Sequence, residues 1–414
     1  MIPKRSLLLI ILLLGILFLS FEPAQACGGL FCQNSPVDQN AERIIFTQNR
    51  DGTITAIIQI QYTGFAEDFS WILPLPNPIT AEALAVPETA MNAFIELETS
   101  TNPVFIAPPL PRCAQDFDFD FGFAGAGAPA EMAASDVQVF ATGEVGPFGF
   151  DVIGSEDPNA LINWLRDNSY RVEPPMEPLI NVYVEEHFVF LAMRLLPDQG
   201  VQDIQPIQVT YPSERPMIPL RLTAVAANPD MAVLTWFFAD SQAIPTNYAH
   251  MEILDHEITF FSFGGNNYRQ LLGQRANEFA GRAFITEYAQ PSHQMAFNDP
   301  LLQELNQRFA YLTRLNTVIS AEEMTVDPLF DYDPQRRDVS NIHDLSQAVG
   351  LYDCEREDGV RIRNVSSLEN LPASAASEPE SSSFATGILV GVGGVVVLGG
   401  LVGLGVLIGR RSRS

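Results

Sequence analysis

From Phe384 to Ile408 the chain runs through twenty-five residues without a charge, and Arg410, Arg411 and Arg413 follow at once. As a helix, such a run reaches roughly 37 Å, enough to cross a ~30 Å hydrocarbon core with some tilt. The arginines behind it place the tail in the cytoplasm by the positive-inside rule. The pattern predicts one C-terminal transmembrane helix over 384–408 and a basic cytoplasmic tail over 409–414. Any globular fold is thereby confined to what precedes the span. Within it, Gly387 and Gly391, Gly399 and Gly403, and Gly405 and Gly409 recur four residues apart. That spacing permits close helix packing, although a loose anchor holds such glycines as well.

The other end reads as a leader. Lys4 and Arg5 precede an apolar run from Leu7 to Leu19, broken only by Gly15, and Ala24-Gln25-Ala26 supplies small residues for cleavage. A signal peptide over 1–26 makes Cys27 the first mature residue. Lipid attachment at Cys27 is an alternative, but Ala24 stands where lipoprotein leaders usually carry Leu. Residues 364–383 (NVSSLENLPASAASEPESSS) have little to bury and read as a flexible stalk. The expected location is the cell membrane, single-pass, with an extracytoplasmic domain over 27–363. A Ser-rich stretch, an apolar span and an Arg cluster also resemble bacterial sorting tags cut during surface attachment; no cleavage motif accompanies them.

Residues 27–383 carry 18 basic and 49 acidic side chains, a net charge of −31. Such a surface repels nucleic acid and anionic lipid and suits cations, basic partners or plain solubility. Lys4 is the only lysine in the chain, and it lies in the leader. Schiff-base chemistry, a phosphate-loop lysine and Ser–Lys catalysis are therefore excluded for the mature protein.

Strand patterns dominate the outer domain. Arg43 to Gln48 and Thr53 to Tyr62 flank Asn49-Arg50-Asp51-Gly52 and read as an antiparallel hairpin. Ile54, Ala56, Ile58, Ile60 and Tyr62 share one face; Ile57 lies on the other, mainly polar one. Asp68 to Leu73 reads as a third strand. A second β-rich block runs from Asn181 to Phe263 and includes HFVFLAMRLL, IQPIQVTY, MIPLRLTAVAA, MAVLTWFFAD and HEITFFSF. Helices are expected over Ser155 to Asn168, Asn267 to Phe284 and Asp299 to Tyr311, with a shorter one over Pro87 to Leu97. Strand-rich blocks with interspersed helices and no regular βαβ alternation predict an α+β fold: mainly antiparallel β-sheets with a few peripheral helices.

Four cysteines in an exported domain favour disulfides over zinc. Of three connectivities, Cys27–Cys32 with Cys113–Cys354 is preferred. Residues 114–134 form an acidic loop passing into a Gly/Ala run. There Asp116, Asp118 and Asp120 alternate with Phe117, Phe119 and Phe121, and three near carboxylates could hold Ca²⁺. The segment lacks full EF-hand spacing, so a flexible acidic loop is the preferred reading, and no cofactor is predicted. His250 and His256 fall on one face if their segment is a single extended strand, where they could share a metal ion. Strand-surface histidines are the plainer reading, as they are for His187. Gly264-Gly265 ahead of a helix could offer N–H groups to an anion or simply turn the chain. Trp71 to Pro78 (WILPLPNP) could be read by a partner as an extended segment, or could be a strand leaving its sheet. The chain holds no HExxH, no GxSxG and no GxxxxGK[ST]; Ser262 in FFSFGG lacks the leading Gly.

Several stretches together carry a family resemblance: CGGLFC with PVDQNAERIIF, ITAIIQIQYTGFAEDFSWILPLP, ALINWLRDNSYRVEPP, MIPLRLTAV and RAFITEYA. The chain resembles the bacterial domain of unknown function 2330 family over most of Cys27 to about Ala289. The resemblance implies a secreted or surface-anchored bacterial protein and transfers no activity, cofactor or catalytic residue.

The leading functional expectation is a membrane-anchored, non-catalytic binding domain at the bacterial cell surface, with an extracellular protein or ligand as partner and no nucleic acid. The alternative is a cell-envelope hydrolase using dispersed carboxylates, which spacing cannot reveal. A third is a structural envelope role through the Gly-lined span. No catalytic residue is assigned.

Overall fold

Asn49, Asp51 and Gly52 turn the chain between two eleven-residue strands, Asp38–Gln48 and Thr53–Thr63. Asp51 Oδ1 accepts the Thr53 N–H at 3.1 Å, and Gly52 takes φ +82°, which a side chain would disfavour. The computed structural model of the chain describes residues 30–32, 38–63, 69–108, 137–168, 170, 172, 174–261, 264–347, 352–355 and 359–362. All of them belong to one unit within Met1–Ala376. The leader, the 114–134 loop, the stalk, the expected span and the tail lie outside the described residues. Among the described residues no helix is long and apolar enough to cross a membrane.

In chain order the strands are β1 (Leu30–Cys32), β2 (Asp38–Gln48), β3 (Thr53–Thr63), β4 (Phe69–Leu75), β5 (Leu84–Ala85), β6 (Val104–Ile106), β7 (Gln138–Val145), β8 (Phe148–Gly154) and β9 (Val189–Leu195). They continue with β10 (Ile207–Pro212), β11 (Ala227–Ala239), β12 (Gln242–Pro245), β13 (Ala249–Met251), β14 (Ala283–Pro291) and β15 (Tyr311–Ile319). The last are β16 (Phe330–Asp333), β17 (Ile342–Asp344), β18 (Tyr352–Glu355) and β19 (Gly359–Ile362). The helices are α1 (Ala90–Thr101), α2 (Pro158–Asp167), α3 (Glu177–Glu185), α4 (Leu220–Thr223), α5 (Tyr268–Glu278) and α6 (Pro300–Arg308).

Two sheets face each other. One has five antiparallel strands in the order β1-β4-β9-β8-β7. The other has eight, in the order β13-β14-β15-β11-β2-β3-β10-β5, with parallel pairs at β13/β14 and β11/β2. Ile44, Phe46, Ile54 and Ile58 meet Trp71, Leu73, Phe150 and Leu191 between them. Each sheet also has a covered outer face. Helices α2 and α3 pack Leu161, Leu165 and Ile180 on Ile72, Ile153 and Phe190. Helices α1 and α6 pack Phe94, Leu97 and Leu302 on Ile45, Ile57 and Trp236. The result is four layers, helix–sheet–sheet–helix, in an α+β arrangement of antiparallel and mixed sheets. Burial on both faces explains why Ile44-Ile45-Phe46 and Val189 to Met193 read as unbroken apolar runs. The Ile57 face of β3, mainly polar in composition, is covered as well: Ile57 and Gln59 are buried beneath α1.

Several expected elements shift. MIPLRLTAVAA is not a strand: Pro216 and Pro219 supply no donor to a ladder, and Leu220–Thr223 coils into α4. Arg221 then anchors that turn, its N–H and Nε donating to Asp327 at 2.9 and 2.8 Å. HEITFFSF begins as a 3-10 turn, Asp255–Glu257, because Glu257 caps the Leu254 N–H at 2.9 Å and Asn267 Oδ1 takes the Thr259 N–H at 2.7 Å. Asn181 to Glu185 belongs to α3, and β9 starts only after His187, which bends the chain at φ +62°. The helix expected to run from Asn267 to Phe284 ends at Glu278. Gly281, at φ +74° and packed against Glu323, releases the chain into β14. Likewise α6 stops at Arg308, and Tyr311 opens β15.

A bulge at Glu287, between the Thr286–Leu315 and Tyr288–Arg314 pairs, brings its carboxylate to Arg314. The Arg314 Nε donates to Glu287 Oε2 at 2.5 Å, with both side chains buried. Tyr268 and Asn316 donate to the other carboxylate oxygen at 2.7 and 2.8 Å. The Arg314 guanidinium also reaches Thr101 and Asn102 at 3.1 Å and lies 5.5 Å over Trp236. Arg314→Met alone would leave Glu287 buried and unpaired, and is expected to cost about 3–5 kcal/mol. Adding Glu287→Leu should recover part of that loss in denaturant unfolding. Equal destabilisation by the double variant would trace the loss to the other contacts of Arg314 and not to the unpaired carboxylate.

Glu42 on β2 faces the space between the sheets beside Val233, 4 % exposed, with no partner for Oε2. Burial raises its carboxyl from an ordinary 4.5 to about 7. Below pH 4.5 folded and unfolded chains are both protonated there and no penalty arises. As pH rises from 4.5 to 7 the unfolded chain ionises first, so stability falls and stays low above pH 7. Glu42→Gln should therefore stabilise the protein at pH 8 by on the order of 3 kcal/mol and have little effect at pH 4. Unfolding curves at the two pH values test this; a gain of equal size at both would refute it.

Candidate functional site

Three of the four outer edges of the two large sheets are strands of two or three residues: β1, β5 and β13. The fourth, β7, has eight residues and pairs with β8 alone among the described residues. Short edges limit unwanted pairing; a long one presents a row of backbone donors and acceptors to whatever approaches. None of the eight β7 residues is buried, whereas six of the seven in β8 are. Val139 is 45 % exposed and Phe140 39 %. A bulge separates the Val139–Ile153 pair from the Ala141–Val152 pair.

Local sequence shapes this edge. Gly143 lies against Phe150, whose ring atoms come within 3.2 Å of where a Cβ would stand. Gly154 sits against the Phe140 ring, 2.9 Å from its own virtual Cβ, so the ring lies close over the backbone of β8. Ala141 and Val145 lean on the core between the sheets, and Val137 on the core beneath α2. The strand is thus seated on both layers, and among the described residues no strand pairs with its outer rim. The charges on β7 and β8 are Glu144 and Asp151, both negative. Glu82, in the turn Ala81–Ala83 that abuts β7, and Glu156, just after β8, are exposed and negative as well.

The residues singled out from sequence are dispersed. Strand β13 ends at Met251, and His256 lies in the 3-10 turn beyond it, so His250 and His256 do not share one strand. Among the described residues no three His, Cys, Asp or Glu side chains are grouped to hold a metal ion. His187 lies at the end of α3, exposed. Gly264 and Gly265, at φ +100° and +83°, close a turn in which the Gly264 N–H donates to Phe261 at 3.1 Å. Trp71 to Leu75 forms the interior of β4 and is buried. Pro74 is tolerated there because β1 pairs only with Phe69 to Trp71, leaving the Pro74 side of the strand without a ladder. Asp116, Asp118, Asp120 and Ser262 lie outside the described residues. So do Cys27 and Cys113, the expected partners of Cys32, which closes β1, and Cys354, in β18.

One pairing was not legible at all. His343 on β17 meets Asp255 across 88 residues, Nδ1 to Oδ1 at 2.5 Å, and its ring stacks on Phe105 at 4.5 Å. Asp255 is buried, and its Oδ2 has no partner. Between the sheets, Ile58, Phe69, Trp71, Phe148 and Met193 line a hollow with room for about one water.

His250 contacts Thr286 Oγ1 through Nε2, and its Nδ1 is buried without a partner. Burial lowers its pKa to about 4, with Arg336 reinforcing the effect. The ring thus stays neutral in the folded chain, and its contribution to stability is complete above pH 6.5 and lost as pH falls towards 4. NMR titration of the imidazoles should show His250 unchanged between pH 8 and 5. A midpoint near 6.5 would contradict this environment.

No curated protein and no solved structure matches the chain. A family model does, over residues 22–331: the one described as "Uncharacterized protein conserved in bacteria" (DUF2330). The match includes both large sheets apart from their surroundings after β16, and β7 lies inside it while His343 lies beyond its end. Covering most of the sequence, it shows that the chain belongs to the bacterial DUF2330 family.

Proposed function

We propose that the chain is a membrane-anchored extracytoplasmic binding domain at the bacterial cell surface, non-catalytic, and that β7 is where it engages an extended segment of its partner. The leader, stalk and apolar run support the address. The observation that carries the binding reading is the eight-residue β7 edge, unpaired on its outer side among the described residues, with Val139 and Phe140 exposed along it. Strand addition at such an edge draws affinity from main-chain hydrogen bonds and selectivity from alternate side chains. The exposed Phe140 ring beside Val139 offers an apolar contact for one of those side chains.

A second reading, an envelope hydrolase, draws on the His343–Asp255 pair. A carboxylate on Nδ1 holds an imidazole in the orientation that general bases use. The two readings separate by experiment. Eight-residue peptides selected by display against the full-length chain in detergent should slow amide exchange in residues 138–145. Phe140→Ala should weaken them by roughly tenfold, as expected when a central contact is truncated. Protection confined to other strands would remove β7 from the site. Turnover of an ester, peptide or glycoside abolished by His343→Ala would favour the hydrolase.

A further inference from the structure

We infer that the segment received by β7 is cationic: an extended stretch of another protein with lysine or arginine alternating with apolar residues. The inference rests on the reading of β7 as the docking edge and adds the chemistry of its occupant. β7 carries Glu144 as its one charge; on β8 Asp151 is half-buried beside Tyr170, and Arg194 of β9 leans over Gly149, so the exposed acids of the edge are Glu144 and its neighbours. Glu82 and Glu156, both exposed, extend the negative character to the turn beside β7 and to the segment after β8. An added strand runs within about 5 Å of β7, so its charged side chains would stand close to these carboxylates. Cationic side chains would be attracted there and anionic ones repelled.

The occupant is also bounded by what the edge disfavours. A second copy of this chain, paired β7 to β7, would bring its own Glu144 to the same rim. It would also set two domains of net charge −31 side by side. A cationic partner meets neither obstacle. The alternation follows from strand geometry: successive side chains of an added strand face opposite ways, so apolar residues can meet Phe140 on one face while charged ones stand on the other, where Glu144 lies.

The test uses full-length protein in neutral detergent and three labelled eight-residue peptides at about 150 mM salt, where long-range attraction is screened. One alternates Val and Lys, one alternates Val and Glu, and the third is the Val–Lys peptide with every second backbone nitrogen methylated. The Val–Lys peptide should bind and slow exchange in 138–145, with the Val–Glu peptide weaker by about tenfold or more. Methylation, which blocks strand pairing and keeps the charge, should weaken binding to a similar degree. Glu144→Lys with Glu156→Lys, both at exposed positions, should narrow the preference between the two charged peptides. Equal binding of Val–Lys and Val–Glu, both protecting 138–145, would overturn the cationic inference and leave the docking edge standing. Failure of both peptides to bind would overturn the two together. Undiminished binding of the methylated peptide would reduce the effect to diffuse attraction and overturn the inference. A dimer in sedimentation that Phe140→Lys dissociates would assign the edge to a second copy and overturn it too.

Discussion

The Arg314 guanidinium lies buried on the outer face of the eight-stranded sheet, and elements from distant parts of the sequence close around it. It pairs with Glu287 of β14, reaches Thr101 and Asn102 at the end of α1, and lies over Trp236 of β11. Through Glu287 it also engages Tyr268 at the start of α5. A charge in such a place is tolerated only when its partners replace the water it has lost. The planar fork of arginine supplies several donors in fixed directions at once, which a lysine ammonium does not. Thr101 completes the set by accepting from both Trp236 and Arg314 while donating to Leu97 within its own helix. The position of α1 over Ile45 and Ile57 is therefore set by polar geometry as well as by apolar packing.

Arg221 plays a comparable part on the other side of the fold. It binds Asp327 and Glu186 and stacks over Tyr183, whose hydroxyl donates to the same Asp327 at 2.9 Å. Burial raises the Asp327 carboxyl, and Arg221 acts against that rise. Arg43, Arg166 and Arg275 likewise meet carboxylates close to the layers they join. In a domain with 18 basic and 49 acidic residues, this use of arginine has a consequence at the surface. Each internal pair withdraws one charge of each sign, so the net −31 is left to a surface with fewer cations interspersed among its acids.

The hairpin between β2 and β3 was legible because everything that makes it is local: the Asn49–Gly52 turn and the alternation of Ile54, Ala56 and Ile58. The expected helices over α1, α2 and α6 were found as well, their starts marked by residues such as Asp157 and Asp299 that cap the first turn. MIPLRLTAVAA misleads because its residues suit a strand, while the group that holds Arg221 in a helical turn lies 106 residues further on. His343 and Asp255 are hidden for the same reason. The β7 segment, QVFATGEV, gives a different lesson. Its strand character is modest, and its interest comes wholly from being last in a sheet. Strand order is decided by long-range pairing and cannot be seen in the eight residues themselves.

An open edge of eight residues is a liability for a domain that must stay dispersed, because copies could pair through it. The bulge near Val139 perturbs the rim, and Gly143 weakens the strand locally, yet among the described residues neither gives the rim a pairing partner. Charge supplies a further restraint. Two such domains meeting edge to edge bring carboxylates to a shared boundary, and their net charges repel at longer range. Hydrogen bonding at the rim is indifferent to charge, so the same edge remains usable by any extended chain that does not carry the excess negative charge. The acidic composition and the long edge thus belong together physically: one restrains self-pairing where the other leaves pairing geometrically available.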